Sequence, residues 1–191
     1  MQAFVLASQS PRRQELLRVM GITTFRIILP IGEEYSPDEM VPEERVKFLS
    51  QQKLFSIRSQ LCEDEIAIAA DTLVFLDSQV LGKPHDADEA LQMLTLLSGR
   101  RHRVCTGVSV LQGEKCESFS VSTDVYFRES SVEERLHYIE SGEPMDKAGA
   151  YGVQGKGALL IDRIDGDFFN VMGLPIAKLA QVLCRFGVQI L

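Results

Sequence analysis

Strand-like and helix-like segments alternate along the whole chain, and this alternation limits the possible folds more than any other feature. The apolar run at residues 66–70 is bounded by charge and is typical of a buried central strand. Residues 42–61 carry apolar side chains at helical spacing, whereas residues 104–111 and 118–127 predict two strands around a turn. Because hairpins and crossover helices are both indicated, the predicted class is α/β with a mixed sheet.

The remaining segments extend this pattern to both ends of the chain. Residues 4–7 predict a buried strand that runs into a helix with Ser10 as its N-cap and Gly21 after its end. Residues 159–161 and 168–172 predict two strands near the C-terminus. Three more helices are predicted. Two begin at capping boxes that open with Asp86 and Ser131, and the third runs from Pro175 to Gly187. With no repeat and no linker, we predict one domain over residues 1–191.

The charge balance limits the partners of this protein. Its formal net charge is −7, so the surface as a whole repels nucleic acid and anionic membranes. A polyanionic ligand therefore needs a local cluster of positive charge, together with a metal ion. No apolar run approaches the roughly 20 residues that span a bilayer, and the N-terminus lacks the order of a signal peptide. We expect a cytoplasmic protein.

Cysteine and histidine residues do not indicate a zinc site. The cysteines are widely spaced along the chain, and neither they nor the histidines form a metal-binding motif. In a cytoplasmic protein, such cysteines are expected to be reduced thiols. A zinc hydrolase is therefore not indicated.

Residues 8–13, Ser-Gln-Ser-Pro-Arg-Arg, are the first candidate for chemistry. A strand followed by a helix N-terminus directs backbone N–H groups and the positive end of the helix dipole at one point. Two hydroxyls and two guanidinium groups add donors that suit phosphate oxygens. The alternative is an N-cap followed by two solvated arginines. The arginines oppose the dipole of their own helix, which favours an anion site, although no Walker A pattern is present.

Three further places carry candidate residues. Asp71 and Thr72 follow the apolar run at residues 66–70. The Asp71 carboxylate can hold Mg²⁺ there or take a proton from water. The alternative is that Asp71 is a turn residue that satisfies local N–H groups. Lys83 precedes a proline that restricts its backbone, and Lys53 lies on the second predicted helix; solvated lysines are the alternative. The glycine-dense residues 143–155 favour a binding loop over a flexible connector, because a tyrosine and a valine lie among the glycines.

Together these motifs resemble the Maf family of nucleoside triphosphate pyrophosphatases, which is related in fold to the inosine triphosphate pyrophosphatases. The matching motifs occur in order along the chain: Leu-Ala-Ser-Gln-Ser-Pro-Arg-Arg at 6–13, Ala-Ala-Asp-Thr at 69–72, Leu-Gly-Lys-Pro at 81–84, Ser-Gly-Arg at 98–100, Thr-Gly-Val at 106–108, residues 143–155, and Gly166-Asp167 through Asn170 to Gly-Leu-Pro at 173–175.

The resemblance implies an elongated mixed β-sheet wrapped by helices, with two lobes around a central cleft. It implies hydrolysis of a nucleoside triphosphate to the monophosphate and pyrophosphate, with a divalent cation (Mg²⁺ or Mn²⁺) as cofactor. It also implies a homodimer that clears unwanted nucleotides. The family's proton acceptor falls on Asp71, which also faces the metal. Its phosphate- and metal-handling positions fall on Ser8, Arg13, Glu33, Lys53 and Lys83.

Subgroups of this family differ in the base that they accept. The positions that separate them correspond to Arg12, Thr72 and Gln154, which is similar to the dTTP/UTP subgroup. Uracil and thymine present an N3–H donor beside carbonyl acceptors, and the amide of Gln154 offers both an acceptor and a donor. Subgroups with other substrates tend to carry glutamate there, which has no donor when ionised.

Two other functions are compatible with a nucleotide site. The first is a nucleotide-binding regulator of septum formation without significant turnover, because members of the family have been linked to septum arrest. A pure binder has no need of a carboxylate at the position of Asp71. The second is a small phosphotransferase, which is disfavoured because the chain has no Walker A loop and no kinase signature.

Overall fold

The computed structural model describes residues 2–32, 35–37 and 39–191, and this part of the chain contains seven β-strands and six α-helices. The strands are β1 (Phe4–Leu6), β2 (Arg26–Ile27), β3 (Ile66–Leu76), β4 (Gln79–Leu81), β5 (Arg101–Gln112), β6 (Lys115–Phe127) and β7 (Ile161–Asp165). The helices are α1 (Pro11–Val19), α2 (Pro42–Ser56), α3 (Ala87–Leu97), α4 (Val132–Glu140), α5 (Phe168–Met172) and α6 (Ile176–Cys184). Short 3-10 turns occupy Arg58–Gln60, Glu143–Asp146, Ala148–Ala150 and Gly155–Leu160.

The strands form one mixed sheet. Its hydrogen-bonded order is β2-β1-β3-β5-β6-β7, and β4 pairs with β3 outside this path. β1 pairs in parallel with β2 and with β3, whereas β4 is antiparallel to β3 and β7 is antiparallel to β6. The predicted α/β class with a mixed sheet is therefore confirmed.

The chain is divided into two compact units. The first contains the residues up to Asp71 together with Thr106–Val121 and Gly173–Leu191. The second contains Thr72–Cys105 and Ser122–Met172. Strands β3, β5 and β6 each contribute to both units. The expectation of a single domain over residues 1–191 stays a prediction.

The core of the first unit lies where β1, β3 and α2 pack together. All three residues of β1 are buried, and so are the first six of β3, Ile66–Asp71. Burial on both faces explains why this part of β3 is a continuous apolar run and not an alternating one. The buried residues of this cluster are Val5, Ala7, Leu54, Ile57, Ala67, Ala69 and Leu111.

The core of the second unit contains a histidine among aromatic rings. His102 on β5 is 2% exposed, and its Nε2 is hydrogen-bonded to the Tyr151 hydroxyl at 2.7 Å. Its ring makes edge contacts with Phe127 and Tyr151, at centroid distances of 5.0 and 5.3 Å. Burial lowers the pKa of His102 from 6.5 to about 4, and the charge of Asp124 opposes this shift only weakly. The imidazole is therefore neutral at physiological pH.

This buried histidine makes the stability of the fold depend on pH. Because the unfolded chain takes up a proton near pH 6.5 and the folded chain does not, the stabilisation is complete above pH 6.5 and is lost as the pH falls towards 4. Between pH 7 and pH 4, protonation of His102 is expected to lower the free energy of unfolding by about 3 kcal/mol. His102→Gln is expected to lack this part of the pH dependence. Urea denaturation of both proteins at several pH values measures this. Equal pH dependence in the two proteins would contradict the assignment.

Four element predictions differ from the structure, and one of them is the last helix, which ends at Cys184 and not at Gly187. Residues 168–172, predicted as a strand, form helix α5, because the Asp167 carboxylate accepts hydrogen bonds from the N–H groups of Phe169 and Asn170 at 2.8 and 3.3 Å and caps the turn. Residues 159–160 belong to a 3-10 turn, and the strand begins only at Ile161. The second helix ends at Ser56, before a separate 3-10 turn.

The helix-capping predictions are largely confirmed. Ser131 and Glu134 form a complete capping box at the start of α4. At α3, Asp86 accepts from the N–H of Glu89, but the Glu89 carboxylate accepts from the N–H of His85 and so does not complete a box. Of the helices in the described residues, none is both long enough and apolar enough to cross a bilayer.

Candidate active site

The segment between β1 and α1 places a serine and an arginine together. Ser10 occupies the N-cap position of α1 as predicted, but its side chain makes no capping hydrogen bond. Instead, the Ser8 hydroxyl oxygen accepts from the Ser10 N–H at 3.2 Å and from Nη1 of Arg13 at 3.3 Å. The hydroxyl of Ser8 and the guanidinium of Arg13 therefore lie side by side at the N-terminus of α1.

Arg13 is fixed by a second contact. Its Nε donates to the carbonyl oxygen of Gly173 at 2.9 Å, and the side chain is half-buried. This contact contradicts the alternative of a fully solvated arginine at this position. The neighbouring Arg12 is also half-buried. Since adjacent side chains leave a helix about 100° apart, Arg12 and Arg13 project from α1 in different directions.

Asp71 and Lys53 form a buried ion pair in the first unit. Nζ of Lys53, in the last turn of α2, lies 2.5 Å from Oδ1 of Asp71 on β3, and the two side chains are only 13% and 9% exposed. Oδ2 of Asp71 is buried and has no hydrogen-bond partner among the described residues. A buried carboxylate oxygen without a partner is costly. A cation or a water molecule bound at Oδ2 would remove that cost.

The parallel pairing of β1 and β3 brings these two groups to one edge of the sheet. Leu6 pairs with Ile68, and the N–H of Ala7 donates to the carbonyl of Ile68 at 2.8 Å. Ser8 lies two residues beyond Leu6 and Asp71 three residues beyond Ile68, past the last paired residues of the two strands, although β3 itself continues to Leu76. In α/β proteins, ligands bind outside the carboxyl ends of parallel strands. The first unit thus combines phosphate-type donors after β1 with a carboxylate at the point where β3 extends past β1.

The other predicted residues lie in the second unit. Thr72 follows Asp71 within β3 and is half-buried, while Lys83 is exposed in the loop after β4. The carbonyl of Gly82 accepts from the N–H of Gly149 at 2.9 Å, which ties this loop to the 3-10 turn Ala148–Ala150. Gln154 is half-buried, and its side chain forms no hydrogen bond with any other residue that the structure describes.

Residues 143–155 form a packed loop. They contain two 3-10 turns, and Tyr151 and Val153 are 5% and 8% exposed. The packing contradicts the alternative of a flexible connector, and the role of the loop in binding stays a prediction. The Tyr138 hydroxyl accepts from the N–H of Gly152, and the Glu143 carboxylate accepts from the N–H groups of Lys156 and Gly157. These contacts, and that of Gly173 with Arg13, were not predicted from the sequence, although Glu143 and Gly173 lie within motifs that were.

The described residues supply one buried carboxylate oxygen that a divalent cation could use. Within the described ranges, no group of three or more histidine, cysteine, aspartate and glutamate side chains is placed to hold a metal ion. Magnesium is usually bound by one or two carboxylates together with substrate phosphates, so such a group is not required. Asp71 Oδ2 is an acceptor of this kind. Glu33, the other predicted metal position, lies outside the described residues.

Comparisons with known proteins identify the family of the chain. The model of the family described as Maf-like protein matches residues 3–186, and the chain belongs to that family. A dTTP/UTP pyrophosphatase from Bacillus velezensis is 48% identical over 185 residues, covering 97% of each chain. A dTTP/UTP pyrophosphatase from Alkaliphilus oremlandii is 49% identical over 186 residues, covering 96% of this chain and 95% of that one. The resemblance found in the motifs is thereby confirmed.

A solved structure supports the fold. A HAM1 protein from Coxiella burnetii aligns with a TM-score of 0.52 at 15% identity, covering 97% of this chain and 100% of that chain. At this identity the likeness concerns the fold alone. It agrees with the expected relation to the inosine triphosphate pyrophosphatase fold.

Proposed function

We propose that this protein is a pyrophosphatase that hydrolyses dTTP and UTP to the monophosphate and pyrophosphate. The observation that carries the proposal is the buried Lys53–Asp71 pair, whose second carboxylate oxygen is without a partner in the described chain, at the edge that also holds Ser8 and Arg13. Membership of the Maf-like family supports it, as do the two relatives with that name at 48% and 49% identity.

Positive groups neutralise the triphosphate in this mechanism. Attack of water at the α-phosphorus builds charge on the phosphate oxygens and on the pyrophosphate leaving group. Ser8 and Arg13 are proposed to grip the phosphates, because Nη1 of Arg13 donates to the Ser8 hydroxyl oxygen and so holds the two groups side by side at the N-terminus of α1. Lys53 and Lys83 are proposed to supply further charge. The half-buried position of Arg13 strengthens its interactions, since fewer water molecules compete for its donors.

Asp71 is proposed as the proton acceptor. Lys53 holds Oδ1, which fixes the plane of the carboxylate and leaves Oδ2 to orient the attacking water and receive its proton. Mg²⁺ or Mn²⁺, held by Asp71 and Glu33 with the substrate phosphates, would supply neutralising charge. The remaining work of binding, orienting and proton transfer falls to the side chains of the protein.

Base selection is proposed for Arg12, Thr72 and Gln154. The amide of Gln154 can accept from N3–H of uracil or thymine and donate to a neighbouring carbonyl. Its lack of a hydrogen bond to the described chain leaves both functions to a ligand. Tolerance of the 5-methyl group would then be a matter of space.

Gln154→Glu tests this assignment. The ionised carboxylate loses the donor and faces the carbonyl oxygens of the base, so kcat/KM for dTTP and UTP is expected to fall about 10- to 100-fold. Gln79→Glu makes the same change of charge at an exposed position on β4 and is expected to leave kcat/KM unchanged. Steady-state kinetics with both nucleotides give the comparison. An unchanged base preference in Gln154→Glu would make Gln154 a structural residue.

A panel of nucleotides tests the proposed activity as a whole. The protein is incubated with Mg²⁺ or Mn²⁺ and with dTTP, UTP, CTP, GTP or ATP, and pyrophosphate is quantified. Pyrophosphate release is expected to be highest with dTTP and UTP. Tight binding without turnover would support the septum-regulator alternative instead, and orthophosphate release would indicate a different hydrolase or a phosphotransferase.

Assembly and location are also proposals. We propose a cytoplasmic homodimer that clears nucleotides and does not bind nucleic acid, in keeping with the net charge of −7. Light scattering after size-exclusion chromatography is expected to give twice the mass of 21.3 kDa. A mass of one chain at micromolar concentration would contradict the dimer.

A further inference from the structure

One hydrogen-bond network in the second unit holds the loop segment that carries the proposed base-reading amide. The N–H of Gly152 donates to the hydroxyl oxygen of Tyr138 at 3.1 Å. Beyond the amide, the N–H groups of Lys156 and Gly157 donate to Oε2 and Oε1 of Glu143 at 3.0 and 3.1 Å. The hydroxyl of Tyr138 donates to Oε1 of Glu143 at 2.9 Å. The segment is therefore held on both sides of the amide.

The two anchoring side chains are themselves fixed. Tyr138 lies in the last turn of α4 and is 5% exposed. Glu143 opens the 3-10 turn Glu143–Asp146, and its backbone carbonyl accepts from Nζ of Lys147 at 2.6 Å. Burial raises the pKa of Tyr138 well above its ordinary value, so the hydroxyl keeps the proton that it donates to Glu143.

The carboxylate of Glu143 packs directly against the loop backbone. Gly155 has a φ of +79°, and a Cβ at this position would lie 2.6 Å from Oε2 of Glu143. Any side chain at position 155 would force the Glu143 carboxylate away from the N–H groups that donate hydrogen bonds to it. The glycine is thus required by the close approach of Glu143 as well as by its own backbone conformation.

The network leaves the side chain of Gln154 unused. Its backbone is extended, with φ −96° and ψ 153°, and the neighbouring N–H groups carry the contacts. Its amide makes no hydrogen bond to the part of the chain that the structure describes. The arrangement holds the backbone in place and presents an amide that has no hydrogen bond to the described residues, which is how a preorganised recognition group is built.

We propose that Glu143 and Tyr138 are positioning residues that set the base selectivity of the enzyme by fixing the backbone on either side of Gln154. This inference rests on the proposed function, since it concerns how the same amide reads the uracil or thymine imide. Two hydrogen bonds to one planar edge require accurate placement, and a shift of about 1 Å is enough to lose them. Neither residue is proposed to touch the reacting phosphate.

Three variants test the proposal. Glu143→Gln removes an acceptor from the N–H groups after Gln154, and Tyr138→Phe removes the bridge to the N–H before it. Glu134→Gln is the matched control. The Glu134 carboxylate caps α4, the helix that carries Tyr138, and pairs with Arg128, but it has no contact with the loop. The readouts are kcat and KM for UTP and CTP, and the Kd of nonhydrolysable analogues of both.

In Glu143→Gln and Tyr138→Phe, the preference for UTP over CTP is expected to fall about tenfold, through a higher KM and a higher Kd for UTP, with kcat changed less than about threefold. Amide hydrogen exchange at residues 152–157 is expected to accelerate by about tenfold. The control is expected to lose stability and keep its preference. An unchanged preference despite faster exchange would show that the network is purely structural and would overturn the proposal.

The Kd measurements separate this inference from the proposed function. If the wild-type protein released no pyrophosphate from any nucleotide, the proposed activity would fail while the binding preference still reported on positioning. A wild-type preference for the UTP analogue that survived both substitutions would overturn the positioning role alone. A wild-type protein without any preference between the two analogues would overturn it as well.

Discussion

Replacing Asp71 with asparagine is expected to lower kcat for dTTP by about a thousandfold while KM changes little. The amide has nearly the same shape and can still accept from Lys53 through its oxygen. It cannot take a proton from water, and its nitrogen is a donor at the position of the acceptor Oδ2. Nucleotide binding is expected to be retained, because it is proposed to rest mainly on Ser8 and the positive groups and because the amide oxygen of asparagine can still face the cation. Single-turnover kinetics measure the chemical step directly.

A matched control separates chemistry from folding. Glu65 is 7% exposed and immediately precedes β3, six residues before Asp71. Its carboxylate accepts from Nε and Nη2 of Arg26 at 2.9 and 2.7 Å. Glu65→Gln also breaks a charged pair, and it is expected to cost stability and leave kcat unchanged. If Asp71→Asn turned over dTTP at the wild-type rate, Asp71 would have no part in proton transfer. A loss of the same size in Glu65→Gln would attribute the effect to folding.

Replacing Gly107 with alanine is expected to destabilise the protein by at least about 3 kcal/mol, a large effect for one methyl group. Gly107 lies on β5, and a Cβ there would be 2.1 Å from the carbonyl oxygen of Val46 and 2.5 Å from the N of Lys47. These are backbone atoms of α2, so no side-chain rotation can relieve the overlap. The helix would have to move away from the sheet.

Denaturation in urea measures this loss, and the melting temperature is expected to fall by about 10 °C. Gly82→Ala is the control, because a Cβ at Gly82 meets no atom within 4 Å. Its unfolding free energy is expected to stay within about 1 kcal/mol of wild type. A Gly107→Ala variant as stable as the control would mean that α2 does not pack against β5 as the structure shows. This close contact gives a physical reason for glycine in the motif at residues 106–108.

The parts of the fold predicted correctly are those in which local pattern and tertiary burial agree. The run at residues 66–70 lies in β3, where both faces are buried, so a continuous apolar stretch is what the structure requires. The strand prediction for residues 168–172 was wrong, because aromatic and branched side chains favour strands. In the structure, the carboxylate of Asp167 caps a helix there. Such a side-chain contact competes with propensity and is not visible in hydrophobic spacing.

The candidate site shows a similar division. Ser8 and Arg13 lie five residues apart, within the strand-to-helix segment that was predicted as one anion site. Lys53 was ambiguous on its helix, because its partner Asp71 comes from a distant strand and only the folded chain brings the two together. The carbonyl of Gly173 lies 160 residues from Arg13 in sequence, and backbone acceptors leave no mark in side-chain patterns. Long-range contacts of this kind define the site, and the sequence alone could not supply them.

Isotope labelling tests the central claim most directly. The wild-type protein hydrolyses dTTP with Mg²⁺ in water labelled with oxygen-18, and the products are analysed by mass spectrometry. Attack at the α-phosphorus predicts that one labelled oxygen enters dTMP and that pyrophosphate stays unlabelled. Label in pyrophosphate, or the release of labelled orthophosphate with dTDP, would contradict the account.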